Sequence, residues 1–197
     1  MRNFILVSSI FLLSTFTAMG QTITFDTFLM GRKVGSLTAT KKKGGDLVFY
    51  EVKANNTANI LGIKKHVETS TMITIKGGYV VESLVKRIDN GKLKSYCNMK
   101  WDGTKYQIET EKGKRSYDQK ISLVTMEFYF SEPKSNLSYF YNPAAHPVSL
   151  SVSKKDRAAY TFKTDDGVKH TFVYKNGVLD EIENSMDLAT VRFRKSN

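Results

Sequence analysis

The 197-residue chain has one cysteine, three histidines and no unbroken apolar run of the roughly 20 residues that a membrane-crossing helix needs. Each scarcity removes a class of explanation. With Cys97 alone, no intrachain disulfide can form, so stability has to come from a hydrophobic core. His66, His146 and His170 lie far apart in the sequence, none in a zinc spacing, so neither a preorganised metal site nor a cofactor is expected. A Gly-x-Ser-x-Gly elbow, a Walker loop and a Gly-x-Gly-x-x-Gly turn are all missing, and with them the motifs that mark common hydrolases and nucleotide enzymes. Repeats, linkers and low-complexity stretches are missing too, so a single domain is expected.

What is present begins with a leader. Met1-Arg2-Asn3 is a short basic start. Phe4 to Phe16 is uncharged and apolar apart from Ser8, Ser9, Ser14 and Thr15, and Thr17-Ala18-Met19-Gly20 ends it with small residues at Ala18 and Gly20. This is the pattern of a secretory signal peptide over residues 1–20, cut between Gly20 and Gln21. No cysteine follows the cut, so no lipid anchor is expected. The mature chain is read as residues 21–197, soluble, and periplasmic or secreted.

The chain is basic, with 30 Lys and Arg against 19 Asp and Glu and a formal charge of +11. Loss of Arg2 with the leader takes one from that. Such a surface favours anionic partners such as lipid headgroups through long-range fields. The densest clusters, Lys41-Lys42-Lys43 and Lys112 to Arg115, sit beside glycines. They read as solvated hairpin tips, and with no nucleic-acid motif beside them nucleic acid is not an expected partner.

Turn signals recur along the mature chain: Gly44-Gly45, Gly77-Gly78, Asn90-Gly91, Asp102-Gly103, Lys112-Gly113, Asp166-Gly167 and Asn176-Gly177. Asn-Gly and Asp-Gly favour the type I′ turns of tight hairpins, and the spacing is that of a meandering antiparallel sheet. Between turns the segments alternate. Val148, Leu150 and Val152 oppose serines, Tyr160 and Phe162 oppose Thr161 and Lys163, and Leu93, Cys97, Met99 and Trp101 share one strand face, which makes Cys97 a core thiol. Segments 23–29, 47–54, 67–75 and 79–88 carry apolar residues on both faces, as strands covered on both sides would. Residues 121–130 fit both periods: Ile121, Val124 and Phe128 are helically spaced, while Val124, Met126, Phe128 and Phe130 alternate. The expected fold is all-β, a single domain of about ten antiparallel strands in a strongly curved sheet or incomplete barrel. One short helix is expected near 121–130, and the stretch to Pro147 crosses from the first group of strands to the last.

Candidate chemistry is sparse. Asp26 stands among Phe25, Phe28 and Leu29, where a carboxylate must be solvated, paired or protonated. The other acids have ordinary places in turns and on wet strand faces. Aromatics are dense: Trp101, Tyr106, Phe128, Phe130, Tyr139, Phe140 and Tyr160 are the residues expected to line an apolar ligand site if the sheet encloses one, with core packing as the competing reading.

Phe25-Asp26, Gly31, Lys33-Val34-Gly35, then Phe128-Tyr129-Phe130-Ser131-Glu132-Pro133, and finally Tyr160, Asp166-Gly167, Phe172, Tyr174 and Asn176-Gly177-Val178 resemble an exported bacterial family of unknown function. The resemblance spans most of the mature chain, through turn and core residues rather than catalytic ones. It implies a curved antiparallel sheet or open barrel in the Gram-negative envelope and carries over no catalytic residue. The functional expectation is a non-catalytic periplasmic binding or envelope-maintenance protein holding a lipid or other apolar molecule, in peripheral contact with anionic membrane surfaces. An interaction module meeting another envelope protein is the alternative, and a carboxylate-dependent hydrolase the third.

Overall fold

The computed structural model describes residues 19–60, 62–154, 158–186 and 189–196. The leader assigned to residues 1–20 lies outside them except for Met19 and Gly20, which open the first strand. Thirteen strands form one sheet: β1 (Met19–Leu29), β2 (Arg32–Gly44), β3 (Leu47–Ile60), β4 (Ile63–Lys76), β5 (Tyr79–Asp89), β6 (Lys92–Trp101), β7 (Tyr106–Thr110) and β8 (Gly113–Tyr117), then β11 (Ser151–Lys154), β12 (Ala158–Lys163), β13 (Lys169–Lys175), β14 (Val178–Met186) and β15 (Ala189–Lys195). Two more, β9 (Ser138–Tyr141) and β10 (His146–Ser149), make a separate hairpin. The sheet runs β11-β12-β13-β14-β15-β1-β2 and on in sequence order to β8, with every pair antiparallel.

The all-β, single-domain expectation holds. The strands number more than ten because some turns carry no strong signal in the sequence. Between β1 and β2 the chain turns on Met30-Gly31, both at positive φ (50° and 77°), a conformation that favours Asn or Gly rather than Met. Asn90-Gly91 and Asn176-Gly177 adopt the same geometry, as their composition predicts.

Curvature follows from what the strands reach. Tyr50 of β3 and Tyr174 of β13 bond to adjacent residues of one short segment, Glu127 and Phe128. Those strands are five positions apart in the sheet, about 24 Å if it were flat, so the sheet is rolled around that segment. The roll does not close. The edges are β8 and β11, and β9 lies across the gap: Phe140 packs on Tyr117 of β8 at 5.4 Å and Tyr141 on Phe162 of β12 at 5.2 Å. Arg115 of β8 donates to the carbonyls of Ala144 and Ala145 at 2.9 and 2.7 Å, fixing one edge to this hairpin.

The concave face is filled by the crossing segment between β8 and β11. Ile121, Val124, Met126, Phe128, Tyr139, Phe140, Ala145 and Val148 are buried there against Phe25, Tyr50, Ile73, Tyr106, Phe172 and Ile182 from the sheet. Residues 121–130 are neither regular helix nor regular strand. They make a 3-10 turn over Thr125–Tyr129, preceded by one parallel bridge from Val124 to Phe140. No second layer covers the outer face among the described residues, so the apolar outward positions in 47–54, 67–75 and 79–88 have a different reason from the one their pattern suggested. Phe49, Met72 and Leu84 are half-buried against lateral neighbours, with Met72 facing Leu84 across β4 and β5.

One close approach explains a glycine. An added Cβ at Gly35 would lie 2.0 Å from the carbonyl oxygen of Asn55 and 2.8 Å from the Cα of Asn56. Gly35 faces Thr27, where the β1–β2 register shifts, and Asn56 of β3, so only a residue without a side chain lets the three strands close up there.

Candidate functional site

Because the crossing segment is irregular, its buried backbone polar groups need partners from elsewhere. The sheet supplies them as tyrosines whose rings lie in the core. Tyr106 donates to the Val80 carbonyl at 2.7 Å and accepts from the Ile121 N–H at 3.2 Å, while the Val80 N–H donates to the Ile121 carbonyl at 2.8 Å. Tyr174 donates to the carbonyl of Phe128 and, at 3.3 Å, to that of Ser131. Tyr50 donates to Glu127 Oε1 at 2.9 Å and Tyr160 to Glu132 Oε1 at 2.6 Å. Within the segment, the Lys134 N–H donates to the Tyr139 hydroxyl at 2.9 Å.

A recess of about 180 Å³ lies among these bonds, lined by Leu123, Glu127, Phe128, Glu132, Lys134 and Tyr139 with flanking residues of the same segment. That is room for something the size of benzene, well below the roughly 300–1,000 Å³ of drug-sized sites. Its two carboxylates are each held by a tyrosine. Burial, with Glu132 alongside, pushes the Tyr160 hydroxyl up to about 12. Burial raises Tyr50 and Tyr174 further, aided by the charges of Glu127 and Glu132 respectively. All three hydroxyls therefore stay protonated as donors at neutral pH.

The aromatic residues singled out from the sequence divide into separate groups. Phe128 and Tyr139 meet edge to face at 4.7 Å beside the recess, and Tyr160 reaches its rim through Glu132. Phe130 tilts against Tyr50 at 5.9 Å under the Lys41 ammonium. Trp101 packs on Tyr106 at 4.8 Å, and the chain of rings continues through Tyr117 to Phe140. Glu127, which lines the recess, and Tyr50, which bonds it from β3, carry no signal in the sequence. Glu132, Ser131 and Pro133 appear there only as part of the Phe-Ser-Glu-Pro run.

A second, polar recess of about 400 Å³ lies on the outer face of β2 to β5, among Ser36, Thr38, Lys53, Asn55, Glu68 and Lys86. Near it Thr57 Oγ1, His66 and Glu68 form a relay, with 2.8 Å to His66 Nδ1 and 2.9 Å from Nε2 to the carboxylate. The shape resembles a nucleophile, base and orienting acid. However, the His66 N–H that flanks it is taken by Asn90 Oδ1 at 2.8 Å, and the relay ties β3, β4 and the β5–β6 turn together.

The remaining titratable candidates have structural places. Asp26 lies on the outward face of β1, paired with Lys33 at 2.8 Å and accepting from Ser196 at 3.1 Å. Its hydrogen bond with Lys33 holds its carboxyl below the usual range. Cys97 is buried, and burial pushes its thiol pKa up, away from nucleophilic use. His170 stacks on Phe162 at 4.8 Å, with Nδ1 2.8 Å from Asn184 Oδ1. Burial lowers its pKa, against the opposing effects of Asn184 and Asp166. Among the described residues no three His, Cys, Asp or Glu side chains are grouped to hold a metal ion.

Residues 25–196 match a family described as a domain of unknown function, DUF6134. No curated protein and no solved structure matches the chain. The match covers nearly all of the sheet, from β1 to β15, and agrees with the expected membership of a family of unknown function: the chain belongs to the DUF6134 family.

Proposed function

We propose that this is an exported, non-catalytic protein of the cell envelope that acts through its exterior rather than by enclosing a lipid. The observation that carries this reading is the occupied concave face. Where a carrier of this shape keeps a hollow, the chain's own residues 121–148 are packed and bonded to tyrosines from four strands. The aromatic richness is thereby accounted for as attachment of the plug. Both sheet edges are short, at five and four residues, and β8 carries Lys114 and Arg115, features that discourage strand addition. The broad outer face and the hairpin tips are the surfaces left.

Native mass spectrometry on protein released from the envelope of cells expressing the whole gene tests this. The expected mass is that of the chain from Gln21 onward with nothing bound. A co-purified apolar molecule retained at stoichiometric level would return the reading to carriage in the concave face. An intact leader would remove the export part.

A second reading, hydrolysis by a carboxylate pair, draws on Glu127 and Glu132 sharing one recess. It predicts hydrolytic activity that Glu127→Gln and Glu132→Gln each abolish. Activity equal in wild type and both variants, or none in any, ends it.

A further inference from the structure

Strands β1, β3 and β5 run the same way, so their turns into β2, β4 and β6 stand at one end of the sheet, and the β14–β15 connection joins them because β15 descends antiparallel to β1. Six large apolar residues are exposed among the described ones, and four belong to this end: Met30 at 85%, Ile63 at 71%, Leu93 at 58% and Met186 at 52%. Single exposed apolar residues need no explanation. Four at the tips of neighbouring hairpins do, because a tight turn is satisfied by polar residues and Gly.

Their surroundings are cationic. The tips 28–34, 60–66 and 88–94 contain Arg32, Lys33, Lys64, Lys65, Lys92 and Lys94 against one acid, Asp89. That acid is neutralised by Arg87 at 2.9 Å and faces Lys65 at 3.7 Å. At the opposite end, tips of the same length, 42–48, 74–80, 100–106 and 173–179, carry six cations spread over four tips, against Asp46 and Asp102. The three tips 28–34, 60–66 and 88–94 thus combine exposed apolar side chains with the larger cation excess per tip, while the 110–113 and 164–168 tips at the same end carry Glu111, Asp165 and Asp166. Met30 adds an independent sign. It holds a left-handed backbone that disfavours its side chain, yet that side chain is the most exposed of the six.

We propose that this hairpin end docks on an anionic lipid bilayer, with Met30, Ile63, Leu93 and Met186 entering the headgroup and acyl boundary and the six cations meeting lipid phosphates. Charge complementarity and apolar burial together are what interfacial binding requires, and several separate tips can each sink into a fluid surface. The proposal rests on the reading that the protein works through its exterior in the envelope. It names the surface and the partner.

Co-sedimentation tests it with envelope-purified protein, whose mass is read first, and two vesicle preparations: phosphatidylglycerol mixed with phosphatidylethanolamine, and phosphatidylcholine alone. Binding to the anionic vesicles is expected, at least about tenfold stronger than to the neutral ones and weakening as salt shortens the Debye length. Replacing Met30, Ile63, Leu93 and Met186 together by Ser should reduce it at least about tenfold. Leu47→Ser with Val178→Ser, at the opposite end, should leave it intact. Arg32→Glu with Lys64→Glu and Lys92→Glu gives a second disabling variant should the apolar set fold poorly, with thermal melting as the check. No preference for anionic vesicles, or equal loss in the tip and opposite-end variants, overturns the proposal. So does a dimer in sedimentation velocity that the tip variant dissolves while vesicle binding is absent, since the tips would then cover a second copy. A bound lipid in the native mass spectrum would strike the non-carrier reading alone, and these vesicle results would still stand or fall on the tips.

Discussion

The two ends of the rolled sheet are built on opposite rules. Where the crossing segment lodges, rings meet edge to face, tyrosine hydroxyls satisfy an irregular backbone, and Phe128, Val124 and Tyr106 have no exposure at all. At the hairpin end the tips carry Met30, Ile63 and Leu93 in solvent among lysines. The first end resolves a problem of burial, since a strip of non-repetitive chain is enclosed with its polar groups paired. The second leaves apolar surface unburied, which folding alone does not reward. The comparison teaches that stability and surface function are separable here, and that substitutions at the two ends should report on different properties.

The largest expected difference is in stability. Phe128→Ala removes a ring that contacts Tyr139 at 4.7 Å and Phe172 at 5.2 Å, and should cost about 3–5 kcal/mol. Ile63→Ala at a tip should change stability by no more than about 0.5 kcal/mol. Urea titrations of both variants give the contrast directly. Similar midpoints for the two would show that the plug is not integral to the fold.

Gly35 sharpens the comparison from the other side, because it lies next to the soft end yet tolerates no side chain. Gly35→Ala drives a Cβ against the Asn55 carbonyl and the Asn56 backbone, and should cost about 1–3 kcal/mol or more. A neutral result in the same titration would mean that β2 and β3 can part there without loss.

How far the sequence revealed this architecture varies by region. The meander was legible because Asn90-Gly91 and Asn176-Gly177 mark their own turns and because burial alternates cleanly, as in Tyr160 and Phe162. The crossing segment was not. Ile121, Val124 and Phe128 satisfy two periods at once, and the competition was decided by bonds from Tyr106 and Tyr174, which come from strands before and after it in the chain. Periodicity within the segment cannot register partners 15 and 46 residues away. The recess was half legible for the same reason: Phe128 and Tyr139 stand out as aromatics, while Glu127 matters only because Tyr50 arrives above it. Met30-Gly31 was marked as a turn only through the resemblance at Gly31, because Met is a poor residue for one.

A smaller effect separates the enclosed face from the exposed tips by pH. His170 is buried against Phe162 and Tyr141, and its pKa in the folded protein lies below the usual 6.5. When pH falls through 6.5 the unfolded chain takes up a proton that the folded chain does not, so stability is lost on acidification and is fully present above that range. Replacing His170 with Phe removes this dependence. The stability gap between wild type and His170→Phe should therefore shift against the wild type between pH 7 and pH 5, measured by urea midpoints. A gap that stays constant would mean that the ring is protonated in place. No tip residue should behave this way.

The smallest effect bears most directly on why the two ends differ. At φ 50°, Asn in place of Met30 relieves a conformational penalty and creates the Asn-Gly pair favoured in this turn, so Met30→Asn should stabilise the fold by up to about 1 kcal/mol. Stabilising changes of this kind are easy to find, and a strained apolar residue this exposed motivates the test of a use elsewhere. The two readouts should accordingly move in opposite directions, with the thermal midpoint rising while binding to anionic vesicles falls. If Met30→Asn raises both, or raises the midpoint and leaves binding untouched, Met30 contributes nothing at the bilayer and its exposure is incidental to the turn. If it lowers the midpoint, the side chain has folded-state contacts that outweigh the backbone strain, and the contrast between a packed end and an unpacked one loses its clearest example.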